Sequence, residues 1–178
     1  ELAAYTTMAL DQNQEQDFLG KMFMRLDLGN CSNGRFFTPY HVCELMAEVV
    51  ATDALEKIEQ HGYISINDPC CGAGATLIAG VHVIRKQLEH CDPPRNYQNH
   101  ILVVAQDVDE IVGLMCYIQI SLLGLAGFIK IGNSITDPMS TDDSSEKYWY
   151  TPMYFSDVWS TRRMLRQINK LFGKGDDE

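Results

Sequence analysis

Apolar and polar residues along this chain switch repeatedly between a helical and a strand period. Glu1 to Asn13 shows no clear period, and a frayed end is expected there. From Gln14 to Leu28, the residues Phe18, Leu19, Met22, Phe23, Leu26 and Leu28 recur at three- and four-residue steps, which predicts an amphipathic helix. Gly29-Asn30 is a reasonable stop for it. Thr38 is placed to cap a second helix with Pro39 at its first position, where a missing N–H costs nothing. Val42, Leu45, Met46, Val49 and Val50 carry that helix to about Ala51. A short strand over Tyr63–Asn67 leads into a glycine turn and then a helix from Ala75 to Gln87. Ile101–Gln106 is continuously apolar, as a strand buried on both faces of a parallel sheet should be. An apolar helix from Ile111 to Leu123 and a third strand, Phe128–Ile131, follow.

Strand, helix, strand, helix, strand implies right-handed crossovers and a parallel sheet, hence an α/β domain. Beyond it, Ile135 to Glu146 is polar and reads as a flexible loop, and Tyr148 to Phe155 is densely aromatic. From Ser156 a basic amphipathic helix is expected. Its Val158, Leu165, Ile168 and Leu171 would face inward and its Arg162, Arg163, Arg166 and Lys170 largely outward. The expected organisation is an N-terminal helical segment over residues 1–33, one domain over 34–172, and a disordered tail over 173–178.

The chemistry is concentrated where the first strand ends. Asp68-Pro69-Cys70-Cys71-Gly72-Ala73-Gly74 places an acid, a proline and two glycines between a strand and a helix N-terminus. Pro69 cannot donate to a sheet ladder, so the strand stops there. The glycines admit positive φ and let a ligand approach the backbone, whose N–H groups suit a nucleotide-type ligand. Asp107 ends the second strand, where a dinucleotide fold keeps its ribose-binding acid about 20 residues past the glycines. The spacing is longer here because of the inserted loop around Pro93-Pro94. Asp68, Asp107 and Asn133 all fall at carboxyl ends of strands, where such sheets bind ligands. The two aromatics Phe36 and Phe37 read either as a hydrophobic staple or as a wall beside that ligand.

Composition narrows the field. The length of 178 residues allows a substantial core in one domain. No apolar run is long enough to span a bilayer, and the first residues do not form a signal peptide. The chain starts at Glu1 rather than Met, as a piece of a longer chain would. Its six cysteines lack Cys-x-x-Cys or finger spacing, so no zinc site is expected, and reduced thiols point to the cytoplasm. A net charge of −10 gives no general attraction for DNA, so DNA is expected to bind weakly to the chain alone. No serine nucleophile elbow or phosphate-binding Gly-Lys-Ser/Thr loop is present.

These motifs, in this order, resemble the adenine-specific DNA methyltransferases, especially the modification subunits of type I restriction-modification systems. Gly34-Arg35-Phe36-Phe37-Thr38-Pro39 resembles the family's first cofactor motif, and Asp68 to Gly74 its Asp-Pro-x-x-Gly-x-Gly signature for S-adenosylmethionine. Asp107 matches the ribose-binding acid. Gly132-Asn133-Ser134 is similar to the Gly-Asp-Ser/Thr motif that contacts the cofactor's adenine, with Asn133 in place of the acid. The resemblance implies a truncated, Rossmann-like methyltransferase fold with a largely parallel sheet and helices on both faces. It implies S-adenosylmethionine held by Phe36, Thr38, Pro39, Asp68, Cys70, Gly72, Gly74, Asp107 and Asn133. It also implies adenine N6 methylation and a specificity or other protein subunit as partner.

The departure is the catalytic motif. Asn-Pro-Pro-Phe or Asp-Pro-Pro-Tyr, whose acceptors hold the target amino protons and whose ring stacks on the flipped base, is not found after Asn133. Asp137-Pro138-Met139-Ser140 and Thr151-Pro152-Met153-Tyr154 each lack essential pieces, and Asp92-Pro93-Pro94-Arg95 precedes the second strand. The catalytic residue is therefore left unassigned, and a catalytically silent cofactor- or partner-binding member is the alternative. A nicotinamide oxidoreductase fits the glycine turn but not the Phe-Phe-Thr-Pro segment.

Overall fold

The computed structural model describes residues 1–26 and 37–171, with side chains through Asn169. The elements run α1 (Leu2–Gln12), α2 (Phe18–Arg25), α3 (Tyr40–Val50), α4 (Ala54–His61), β1 (Ile64–Asp68), α5 (Ala75–Glu89), β2 (Ile101–Asp107), α6 (Glu110–Leu122), β3 (Ala126–Ile131), β4 (Tyr148–Tyr150) and α7 (Asp157–Leu171). The sheet order is β1-β2-β3-β4. Ile64 lies opposite Ile101 in a parallel ladder, Leu102 opposite Ala126 in another, and Phe128 opposite Tyr150 in an antiparallel one. The parallel α/β core expected from the periodicity is present. The antiparallel fourth strand was hidden inside the aromatic run.

Side chains alternate across a strand, so one face of this sheet carries Ile64, Ile66, Ile101, Val103, Ala105 and Ile129. These pack with Leu77, Ile78, Val81, Ile84 and Leu88 of α5 and with Cys116 and Ile120 of α6 in one apolar cluster. Both crossover helices share that face, because two successive right-handed crossovers stepping the same way along a sheet must do so. On the second face the short 3-10 turn Pro152–Phe155 brings Tyr154 against Phe128.

Four local expectations are corrected. The first thirteen residues are not frayed: α1 forms, with Thr6 and Leu10 buried. Thr38 does not cap α3; Pro39 occupies the cap position without a side-chain bond, and its carbonyl accepts from the Val42 and Cys43 amides. The apolar stripe of α3 does not face the core. Cys43 and Ala47 are buried against Ala75 and Ala79, whose small side chains let α3 approach α5 closely, while Leu45 and Val49 point outward. In α7 the expected faces hold only in part: Arg166 is exposed as expected, and the side chains of Lys170 and Leu171 lie outside the described residues. Trp159 is 2% exposed and stacks on Tyr63, and Arg162 lies over both rings and donates to the Asn99 and Gly62 carbonyls. Leu165 and Ile168 are exposed.

The polar segment after β3 is also less loose than its composition suggests. The buried Lys130 ammonium donates to Asp137 Oδ1 at 2.9 Å, to the Pro138 carbonyl at 3.0 Å and to Asp143 Oδ2 at 2.8 Å. Burial alone would lower the Lys130 pKa, but these acceptors outweigh it and hold it above its ordinary value. Hydrogen bonds from Lys130, Lys147 and Tyr148 hold the Asp143 carboxyl well below the usual range.

Candidate functional site

The turn after β1 is built from both ends. Asp68 Oδ1 accepts the Cys70 amide at 2.9 Å, and Asp68 Oδ2 accepts the hydroxyl of Thr76 in the first turn of α5. The Cys71 amide reaches across to the Gln106 carbonyl of β2 at 3.0 Å. Gly72 has φ +54° and Gly74 has φ +98°, a region that L side chains rarely adopt. Gly74 is required by packing as well, since a Cβ there would lie 2.8 Å from Cys116 Sγ. A hydrogen bond with the free Cys116 thiol and burial both push the pKa of the Cys71 thiol up, so it is no nucleophile.

The strand ends converge on this turn. Asp107 Oδ2 accepts the Gly72 amide at 2.8 Å, and Asp107 Oδ1 accepts the Asp109 amide at 2.9 Å. Cys70 Sγ lies 3.8 Å from Ser134 Oγ, which brings the turn next to the end of β3. Asn133 is exposed, and its Oδ1 accepts the Ile135 and Thr136 amides at 2.9 and 3.3 Å. The donor edge of its amide is thus what it can present to a ligand. Asp68, Cys70, Gly72, Gly74, Asp107 and Asn133 therefore stand together at the carboxyl ends of three parallel strands.

Thr38 and Pro39 are placed differently. They line a hollow of about 470 Å³ with Asp17, Gly20, Lys21, Phe37 and Tyr40, and neither Asp107 nor Asn133 reaches it. The connection to the turn runs through Phe37, whose ring would lie 3.2 Å from a Cβ on Gly72. Phe36 lies outside the described residues. A larger cavity of about 730 Å³ sits on the outer side of β1, between α3, α4 and α5. Asp68 belongs to it, but Gly72, Gly74, Asp107 and Asn133 do not.

Three residues that hold the turn were missed in the sequence. Thr76 carries a local signal, a hydroxyl one turn into the helix that follows an acid. Asp17 carries a local signal only for capping α2, and Gln119 carries none, because the partners that tie them to the turn are remote in the chain.

The segments nearest to a catalytic motif are all engaged elsewhere. Asp137 and Pro138 bind Lys130. Thr151 is fully buried at the beginning of β3, donating to the Leu125 carbonyl at 2.7 Å and accepting the Gly127 amide at 3.0 Å. Asp92-Pro93-Pro94 follows α5 and so lies at the opposite end of the sheet from the glycine turn.

With this geometry in view, a family profile described as N-6 DNA methylase matches residues 17–172. The chain belongs to the N-6 DNA methylase family. Comparison with curated proteins and with solved structures found no match. An N-6 DNA methylase needs a place for a methyl donor and acceptors for the target amino group. For the second, no Asn- or Asp-Pro-Pro-aromatic segment stands at the converging strand ends among the described residues. No helix among those residues is long and apolar enough to cross a membrane.

Proposed function

We propose that this N-6 DNA methylase domain binds S-adenosylmethionine beyond the ends of β1, β2 and β3, in the service of adenine N6 methylation of DNA. The observation that carries the reading is the convergence of Asp68, the Gly72–Gly74 turn, Asp107 and Asn133. Backbone near Gly72 and Gly74 would meet the methionine part, Asp107 the ribose hydroxyls and Asn133 the adenine edge. Phe37, Thr38 and Pro39 would close the side nearest α2. The cofactor supplies an electrophilic methyl group; the chain's own part is to orient it and keep water from the turn.

A second reading, a member that holds cofactor or a partner subunit without transferring methyl, is favoured by the missing target acceptors. It also draws on the state of α7. Arg162 and Arg163, expected to face outward, are drawn onto backbone carbonyls and aromatic rings, Arg163 lying 4.1 Å from the Tyr154 ring centre. That leaves less basic surface for phosphates, so DNA binding would depend on a specificity or other subunit, as in a restriction-modification assembly.

Calorimetric titration of the purified chain with S-adenosylmethionine tests the site. Asp107→Ala removes two charge-assisted bonds that brace the turn and the acceptor for the ribose. A loss of about 1.5–3 kcal/mol in binding is expected, roughly ten- to a hundredfold. Absence of binding by a folded parent chain, or equal binding by a folded Asp107→Ala variant, refutes the reading.

A further inference from the structure

Helix α2 and the glycine turn are remote in the chain, yet one amide joins them. Gln119, in the middle of the apolar helix α6, has no exposed surface. Its Nε2 donates to Asp17 Oδ1 at 2.8 Å and to the Ala73 carbonyl at 2.8 Å, between the two glycines of the turn. Its Oε1 accepts the Leu19 amide at 3.0 Å. The opposite amide orientation would set Nε2 against an N–H and Oε1 against a carbonyl and a carboxylate, so the assignment follows from the partners.

Asp17 completes the joint. It is 4% exposed, caps α2 by accepting the Gly20 amide at 2.8 Å, and receives the Gln119 bond on the same oxygen. Burial pushes its pKa up against those bonds and the charge of Lys21. Gly20 leaves room for the carboxylate: a Cβ there would stand 2.0 Å from Asp17 Oδ2. A glycine in the first turn of a helix, a buried acid and a buried amide thus serve one contact. From α2 the contact continues to the site, because Phe23 packs on Phe37 at 5.8 Å between ring centres and Phe37 lies over Gly72.

We propose that Gln119 and Asp17 are positioning residues for the cofactor site, clamping α2 to the glycine turn so that Phe37 and the Thr38-Pro39 wall stand in register with Gly72. The proposal rests on the S-adenosylmethionine reading above. Gln119 touches no ligand; it acts by fixing the Ala73 carbonyl and the start of α2 relative to each other. Removing its amide leaves the Leu19 N–H and the Ala73 carbonyl without their partner and takes one of two bonds from Asp17 Oδ1, which favours opening at this joint.

The test combines calorimetry with S-adenosylmethionine and hydrogen exchange of the α2 amides on the full chain. The variants are Gln119→Leu, Gly20→Ala and Asp17→Asn, each first shown to be folded by its urea transition. Gln119→Leu and Gly20→Ala break the joint from opposite sides. Each is expected to weaken binding tenfold or more and to raise exchange in α2 at least tenfold, with β2 and β3 unchanged. Asp17→Asn keeps the oxygen that accepts both bonds and should bind within about threefold of the parent chain. The clamp is overturned if Gln119→Leu binds like the parent, if Asp17→Asn loses as much as Gln119→Leu, or if exchange rises equally in α2, β2 and β3. Should Gln119→Leu fail to fold, Gly20→Ala decides by the same criteria. Failure of the parent to bind would refute the cofactor reading instead, while exchange confined to α2 would still establish the joint.

Discussion

Gly74→Ala separates two reasons for a glycine in the turn. The backbone there has φ +98°, and placing an L residue in such a conformation costs about 1–2 kcal/mol. The new methyl would also stand 2.8 Å from Cys116 Sγ, closer than real Cβ contacts allow. Cys116 is fully buried on α6, so an overpacking cost of about 1–3 kcal/mol adds to the first. The next nearest atoms, Cys116 Cβ at 3.5 Å and Cα at 3.6 Å, are in ordinary contact. Cys116→Ala therefore removes the clash and leaves the dihedral cost in place. Urea unfolding followed by the fluorescence of Trp149 and Trp159 would measure all four corners of the cycle. Gly74→Ala should cost about 2–5 kcal/mol in the parent and about 1–2 kcal/mol beside Cys116→Ala. Equal costs in both backgrounds would show that α6 does not press on the turn. A cost below about 0.5 kcal/mol in the parent would show that the turn does not need positive φ.

Two further outcomes follow from other parts of the molecule. His82 is buried with its Nδ1 2.9 Å from the Tyr40 hydroxyl, and burial lowers its pKa from 6.5 to about 4. Between those values the unfolded chain binds a proton that the folded chain refuses, so stability falls as pH drops through this window, by about 3 kcal/mol in total. Urea midpoints at pH 7, 5.5 and 4 should fall more steeply for the parent than for His82→Gln; parallel curves would contradict the assignment. In a radiolabelled methyl-transfer assay on unmethylated DNA at low salt, the chain alone should give no turnover above background. Rapid turnover that Tyr154→Ala or Phe155→Ala abolishes would identify the aromatic run as a divergent catalytic motif.

The strands and the turn were legible because each has a local cause. β2 is continuously apolar, with Ile101, Val103 and Ala105 buried and Leu102 and Val104 half-buried on the other face, and Asp68, Gly72, Gly74 and Asp107 mark places where the backbone must stop, bend or be held. Helix faces were less legible. Periodicity shows that α3 has an apolar stripe, but Cys43 and Ala47 won the interface because small residues permit close approach to α5. In α7 the rings of Tyr63 and Trp159 captured Arg162, so a charge went inward and Leu165 outward. α4 was not singled out, since only Ala54 and Ile58 of its residues are buried. Asp137 and Asp143 read as a loose polar loop because their partner, Lys130, sits in an apolar strand. At the site, the residues that would face a ligand had local signatures. Those that hold the wall in place, Asp17 and Gln119, meet across 102 positions, and no short window of sequence contains both.

The bond between the Gly72 amide and the Asp107 carboxylate has a kinetic side. Its two ends are 35 positions apart, whereas the bonds that Asp68 makes to the Cys70 amide and to Thr76 are local. Among the described residues β1 pairs only with β2, so the strand and the long-range brace of the turn both wait for the chain through Asp107. Parallel pairing of this sort requires loop closure before any contact rewards it, which slows folding relative to a helical bundle of the same size. During synthesis the glycine segment emerges before the acid that braces its Gly72 amide. The site becomes competent late, as a product of the β1–β2–β3 assembly rather than as a seed for it.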